Sequence, residues 1–247
     1  LLHEDSRRII GYALDPQGRL AFVQRVEGLA LTIQRVGADG RLREVARCAQ
    51  MRRCTPLVTS ADGRDLILRG NFGDERGREL NRLLRLGADG RLHTMHVDPR
   101  GEADLDALSF DPLSRQPLIA SYRSTVASNH GLDADTQRHL RRLDGLLPHR
   151  DLRIDIGRGA GARWLVETRA GHQQGSRWHL YDPAAGTVAA LLDDRPHDMR
   201  SQRPAKRIAE SDLARKLPVS WRASDGMRLY GFVHLPPGRA VASLPLV

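Results

Sequence analysis

With 247 residues the chain is long enough for a substantial core, and its mean hydropathy of −0.46 with no apolar run near ~18 residues excludes a helical membrane span. Its net charge of +9 comes from 39 basic residues against 30 acidic ones, and only Lys206 and Lys216 are lysine. The arginines are scattered along the whole length and aromatics make up 4%, so platforms for base stacking are few and no nucleic-acid partner is expected.

In chain order, the first clear elements are turns. RVGADGRL at 35–42 returns with one change as RLGADGRL at 85–92. Asp-Gly between apolar runs marks a hairpin, because Asp tolerates the opening of the turn and Gly takes positive φ without a Cβ clash. Related turns stand at 15–18, 61–63, 182–186 and 224–226, with degenerate members at 111–116 and 157–163. Asp15, Asp62, Asp111 and Gly159 are 47, 49 and 48 residues apart; Asp39 and Asp89 are 50 apart, and Asp182 follows after 93, about two periods. Two interleaved turns per period predict four strands per unit, the size of one propeller blade.

The segments between the turns have strand patterns. Leu29, Leu31 and Ile33 alternate with Ala30, Thr32 and Gln34; Trp164, Val166 and Thr168 with Leu165 and Glu167; and Val219, Trp221 and Ala223 with Ser220 and Arg222. LAFV at 20–23 and LIL at 66–68 are continuous apolar runs, suited to strands covered on both faces. The missing turn of the second series falls in 131–148, where Leu140, Leu143 and Leu147 predict a short helix with Asp133 or Asp135 as N-cap. The expected fold is therefore all-β: a β-propeller of about four blades, at 10–53, 54–103, 104–150 and 151–195, forming a partial ring. An open ring exposes apolar flanks, so a homo-oligomer is expected.

Candidate chemistry is sparse. Cys48 and Cys54 fit either a small disulfide loop or two free thiols, and nothing near them suggests zinc. His93 and His96 are three apart, which in a strand puts them on opposite faces rather than on one metal. GRGAGAR at 157–163 lacks the Lys-Ser/Thr of a phosphate loop and fits a hairpin turn; DADT at 133–136 lacks the glycine and closing glutamate of a calcium loop and fits a helix cap. RHLRRL at 138–143 is the densest basic patch, and His172 and Gln173 lie in an expected loop. No Gly-x-Ser-x-Gly nucleophile elbow occurs, so no catalytic, cofactor or metal residue is assigned.

After residue 195 the 48-residue period stops, and a domain boundary near 200 is expected, with 1–199 as blades and 200–247 as linker and first hairpin of another domain. RWHLYDPAAGTVAALLDDRP at 177–196, PVSWRASDGMRLYGFVHLPPG at 218–238 and LPLV at 244–247 are similar, in that order, to the last blade, entry hairpin and first core strand at the domain junction of the prolyl oligopeptidase family of serine peptidases. The resemblance implies a propeller joined to an α/β-hydrolase domain with a Ser-Asp-His triad beyond Val247, acting on short peptides that the propeller admits. It implies a fragment whose own residues hold no triad, no cofactor and no metal, and whose peptide substrate is bound through the absent domain. Paired glutamates of the kind dipeptidyl peptidases use to hold a substrate amino terminus are missing, as are the Trp-Asp and double-glycine signatures of other propeller classes. The reading from another functional class is a non-catalytic propeller that binds a partner protein. Compartment, and exo- or endopeptidase action, are left open.

Overall fold

A computed structural model describes residues 8–49, 53–72, 80–159, 161–169, 175–193 and 208–238. The expected boundary near 200 and the LPLV strand lie outside them. The chain forms two compact units, Leu1–Tyr122 and Arg123–Val247.

In the first unit, strands β1 (Ile9–Leu14), β2 (Leu20–Glu27), β3 (Ala30–Val36) and β4 (Leu42–Cys48) pair in sequence order as one antiparallel sheet. Strands β5 (Cys54–Thr59), β6 (Leu66–Gly70), β7 (Arg82–Leu86) and β8 (Leu92–His96) form a second sheet of the same order. Strands β9 (Asp104–Phe110) and β10 (Pro117–Arg123) belong to a third sheet. The four strands per 48-residue period are thus seen directly. Leu29 departs from its expected alternation: Glu27 pairs with Ala30, so Gly28 and Leu29 are a two-residue hairpin turn and Leu29 is 74% exposed.

The repeated GADG has a local cause. Gly37 N–H donates to Arg41 O and Gly40 N–H to Gly37 O, while Asp39 Oδ1 accepts from Arg41 N. Gly40 has φ +73°, and a Cβ on Gly37 would stand 2.5 Å from Asp39 Oδ1. Gly87, Asp89, Gly90 and Arg91 repeat every contact. Asp therefore sits third in this turn, not at its opening. In the other series Asp15 does open the turn: its carbonyl accepts from Gly18 N and its Oδ1 from Gln17 N and Arg19 N.

The first two sheets share one apolar seam. Phe22 and Ile33 from the first sheet and Leu66, Leu68, Leu84 and Leu86 from the second are at most 2% exposed. Each such side chain contributes about 1.5–3 kcal/mol. Cys48 and Cys54, both buried, are disulfide-bonded across the connection between the sheets, and the Gln24 side-chain amide donates to the Cys54 carbonyl beside the bond. The ends of β1 and β5 are tied by Arg115, in the β9–β10 turn: its Nη1 donates to Leu14 O (3.0 Å) and to Thr59 Oγ1 (2.8 Å), and Thr59 Oγ1 itself donates to Leu14 O (2.9 Å).

The second unit opens with β11 (Ala127–Gly131), the remaining strand of the third sheet, and helix α1 (Ala134–Leu146). That sheet has three strands rather than four, and the helix expected in this region follows its last strand. Asp133 is the N-cap, accepting from Thr136 N at 2.8 Å, and Leu140 and Leu143 are buried. Gly131 lets the helix approach, because a Cβ there would meet Gln137 N at 2.3 Å. Strands β12 (Asp151–Ile156), β13 (Trp164–Arg169), β14 (Arg177–Asp182) and β15 (Thr187–Asp193) form a four-stranded sheet, and β16 (Arg215–Arg222) pairs with β17 (Arg228–Leu235) as a separate hairpin. Buried Trp164, Val166 and Thr168 alternate as expected on β13. The helix meets this sheet through His139, whose Nδ1 is 2.8 Å from Tyr181 Oη and whose ring packs edge-on with Trp164 and Tyr181.

Two predictions follow from this bonding. Arg115→Ala removes two charge-assisted bonds and is expected to cost about 1–3 kcal/mol, read as a fall in the urea midpoint; Arg115→Lys restores part of it. Turn carboxylates set the acid limit: the Ser60 hydroxyl and the Arg64 N–H hold Asp62 below its ordinary value, and the Ser114 and Leu113 N–H groups do the same for Asp111. A carboxyl lowered in the folded state stabilises above its unfolded value, near 3.9, and loses that contribution as pH falls through the folded one. Urea midpoints are expected to drop from about pH 4 downward, and the combined Asp62→Asn and Asp111→Asn variant is expected to show a shallower acid slope.

Candidate functional site

The second unit has a cleft of about 690 Å³ between the ends of β12 and β13, the turn after helix α1, and the first residues of β16. Its residues come from five separate stretches, so each wall has its own local reason to be there.

The first wall is the exit of helix α1. Leu147 N–H closes the last turn on Leu143 O, Pro148 prevents continuation, and His149 takes the left-handed conformation at φ +59°, which turns the chain into β12. Beside it Asp151 accepts from Arg123 Nη1 at 2.5 Å and from Ala127 N at 3.1 Å, pinning the start of β12 to the 124–126 loop that carries Thr125 and Val126.

The second wall is the end of β13. Arg169 Nε donates to Ser176 Oγ (3.0 Å), and its Nε and Nη2 donate to Glu167 Oε1 (3.0 and 2.8 Å); the Ser176 hydroxyl also donates to Glu167 Oε1 (2.7 Å). Burial works to raise the Glu167 carboxyl, but these hydrogen bonds and the arginine charge prevail and hold it below its ordinary value.

The third wall is β16 with its partner β17. A single 3₁₀ turn, Glu210–Asp212, leads into it, and Glu210 bridges Arg150 (3.1 Å) and Arg177 (2.6 Å), fastening this approach to the β12–β15 sheet. Arg215 and Lys216 follow at once. Lys216 Nζ stands 4.0 Å above the Phe232 ring, and neither cation has an ion-pair partner among the described residues. Leu217, Pro218, Phe232 and Val126 supply the apolar surface.

The cleft is lined by four arginine and lysine side chains, Arg150, Arg169, Arg215 and Lys216, against one carboxylate, Asp151. Positive charge thus stands beside an apolar surface within one concavity.

The residues singled out in the sequence lie elsewhere. His93 and His96 sit on β8, where His96 Nδ1 is 2.9 Å from Tyr122 Oη while His93 is exposed. Among the described residues no group of three His, Cys, Asp or Glu could hold a metal. GRGAGAR lies between β12 and β13, and among its described residues Gly157 N–H donates to Arg163 O. In RHLRRL, Leu140 and Leu143 face inward and Arg138, Arg141 and Arg142 are exposed. His172 and Gln173 lie outside the described residues. The cleft itself went unassigned; its one sequence signal is Arg215-Lys216 heading an apolar alternation, which includes one of only two lysines.

The Glu210 bridge carries a test of the geometry. Glu210→Ala is expected to release the approach to β16 by about 1 kcal/mol, a roughly fivefold larger open population. Limited trypsin digestion should then cut faster after Arg215 or Lys216 with the far-ultraviolet spectrum unchanged.

No family model and no curated protein matches this sequence. Solved structures do match in fold. A puromycin-hydrolyzing peptidase from Mycobacterium tuberculosis superposes with a TM-score of 0.61 at 12% identity over 94% of this chain and 35% of its own. A puromycin hydrolase gives 0.57 at 14% identity, covering 94% and 34%. Oligopeptidase B from Leishmania major gives 0.54 at 11% identity, covering 93% and 32%. The chain thus spans about a third of the length of these proteins. The likeness is one of fold: the sheets are β-propeller blades of the kind found in peptidases resembling the prolyl oligopeptidase family, as the sequence resemblance implied.

Proposed function

We propose that this chain is the propeller portion of a serine peptidase that cleaves short peptides, with the blades limiting what reaches a separate hydrolase site. The observation that carries the reading is the order of elements: blade sheets closing at β15, then an arginine-anchored approach, then the β16–β17 hairpin, in a chain whose fold matches about a third of several peptidases. The hairpin has the composition of a sheet's edge rather than of a finished element. Trp221, Met227 and Val233 are 40–58% exposed, and two strands alone are marginal in water. Further strands beside it would cover that surface.

The division of labour follows from the residues. The nucleophile elbow is absent from these 247 residues. In the proposed enzyme, acyl transfer proceeds through a serine ester with backbone N–H groups at the oxyanion, all on the hydrolase domain.

The test uses the gene. The coding sequence downstream is expected to contain His-Gly-Gly followed by Gly-x-Ser-x-Gly, and the complete product is expected to hydrolyse peptide p-nitroanilides and to be silenced by a serine-directed organophosphate. The 247-residue chain alone is expected to release no p-nitroaniline. Hydrolysis by that chain, or a gene ending without those motifs, overturns the proposal; the second outcome points to a binding propeller.

A further inference from the structure

We propose that the cleft at the head of β16 binds a free carboxylate flanked by an apolar group, and that its ligand is the C-terminal end of a short peptide. The site pairs two chemistries within one concavity. Arg215 and Lys216 bring positive charge that no carboxylate among the described residues neutralises, while Val126, Leu217, Pro218 and Phe232 form an apolar surface beside them.

Size and geometry select among anions. About 690 Å³ lies within the range of small-ligand pockets and accommodates a few residues of peptide, more than a bare inorganic ion needs. Arg215 offers the planar fork that pairs a carboxylate with two parallel bonds, and Lys216 offers a point charge held over an aromatic ring. A ligand of pure charge would leave the apolar wall uncovered, and a purely apolar one would bury the two cations without a partner. A terminal carboxylate next to a hydrophobic side chain meets both demands. The carboxylate specificity rests on the cleft alone; the choice of a peptide as its source rests on the peptidase reading.

The experiment titrates the 247-residue chain by calorimetry with a tetrapeptide ending in a free phenylalanine carboxylate, with the same peptide amidated at its C-terminus, and with octanoate. Saturable binding of the free peptide is expected, with the amide roughly tenfold weaker or worse. The affinity should fall as sodium chloride rises from low to physiological concentration, because the interaction is partly exposed to screening. The Arg215→Glu/Lys216→Glu variant should lose binding while its circular dichroism is unchanged, and Arg215→Lys should retain part of it. Equal affinity for acid and amide, no saturable binding of the acid, or undiminished binding by the charge-reversed variant overturns the carboxylate site. Octanoate binding as tightly as the peptide overturns the peptide assignment. Carboxylate binding by a chain whose gene product lacks peptidase activity would remove the peptidase reading and leave the site's specificity standing.

Discussion

A four-stranded antiparallel sheet has two faces, and one that is apolar cannot stay in water; every other feature of the first unit answers to that constraint. The seam where Phe22 and Ile33 meet Leu66, Leu68, Leu84 and Leu86 is the solution, with each of these side chains essentially withdrawn from solvent. It accounts for the continuous apolar runs of β2 and β6, which lie inside their sheets and have a neighbour on both edges. It also places the disulfide: Cys48 ends one sheet and Cys54 begins the next, so a six-residue separation spans the seam's border and limits how far the two sheets can part in the unfolded chain.

Sheets that must stack need strands of fixed length, and the turns provide this. Two turn designs recur. One places Asp at the opening, where its carboxylate collects N–H groups from the residues that follow; the other places Asp third, folded back over a glycine too small to obstruct it. Both supply an acceptor where a tight reversal leaves backbone donors without a strand partner. Arg115 then joins two strand ends and its own turn into one bonded set, with the Thr59 hydroxyl between them.

In the second unit, the same economy of polar groups builds a site. Helix α1 ends in Pro148 and a left-handed His149, Asp151 fixes the first strand, and Glu210 bridges two arginines to bring the approach to β16 alongside. The carboxylates in this region are occupied in holding architecture. The cations at the head of β16 are left over, and that surplus next to an apolar wall gives the cleft its chemical character.

Local chemistry was legible without coordinates. Asp-Gly turns at a 48-residue period, the Asp133 cap, and the Trp164–Thr168 alternation depend on neighbours within a few positions, and sequence order records such neighbours. Leu29 was misplaced for the same reason, because apolar alternation alone does not reveal that Gly28 has already turned the chain. Pairings between distant positions were decided only by the tertiary structure. Whether Cys48 and Cys54 meet, that Arg115 reaches Leu14 across 101 positions, and that Glu210 joins Arg150 and Arg177 all depend on how sheets stack. The cleft belongs with these: its residues run from Thr125 to Phe232, no spacing rule connects them, and only the folded chain brings their charges and apolar surfaces into one concavity.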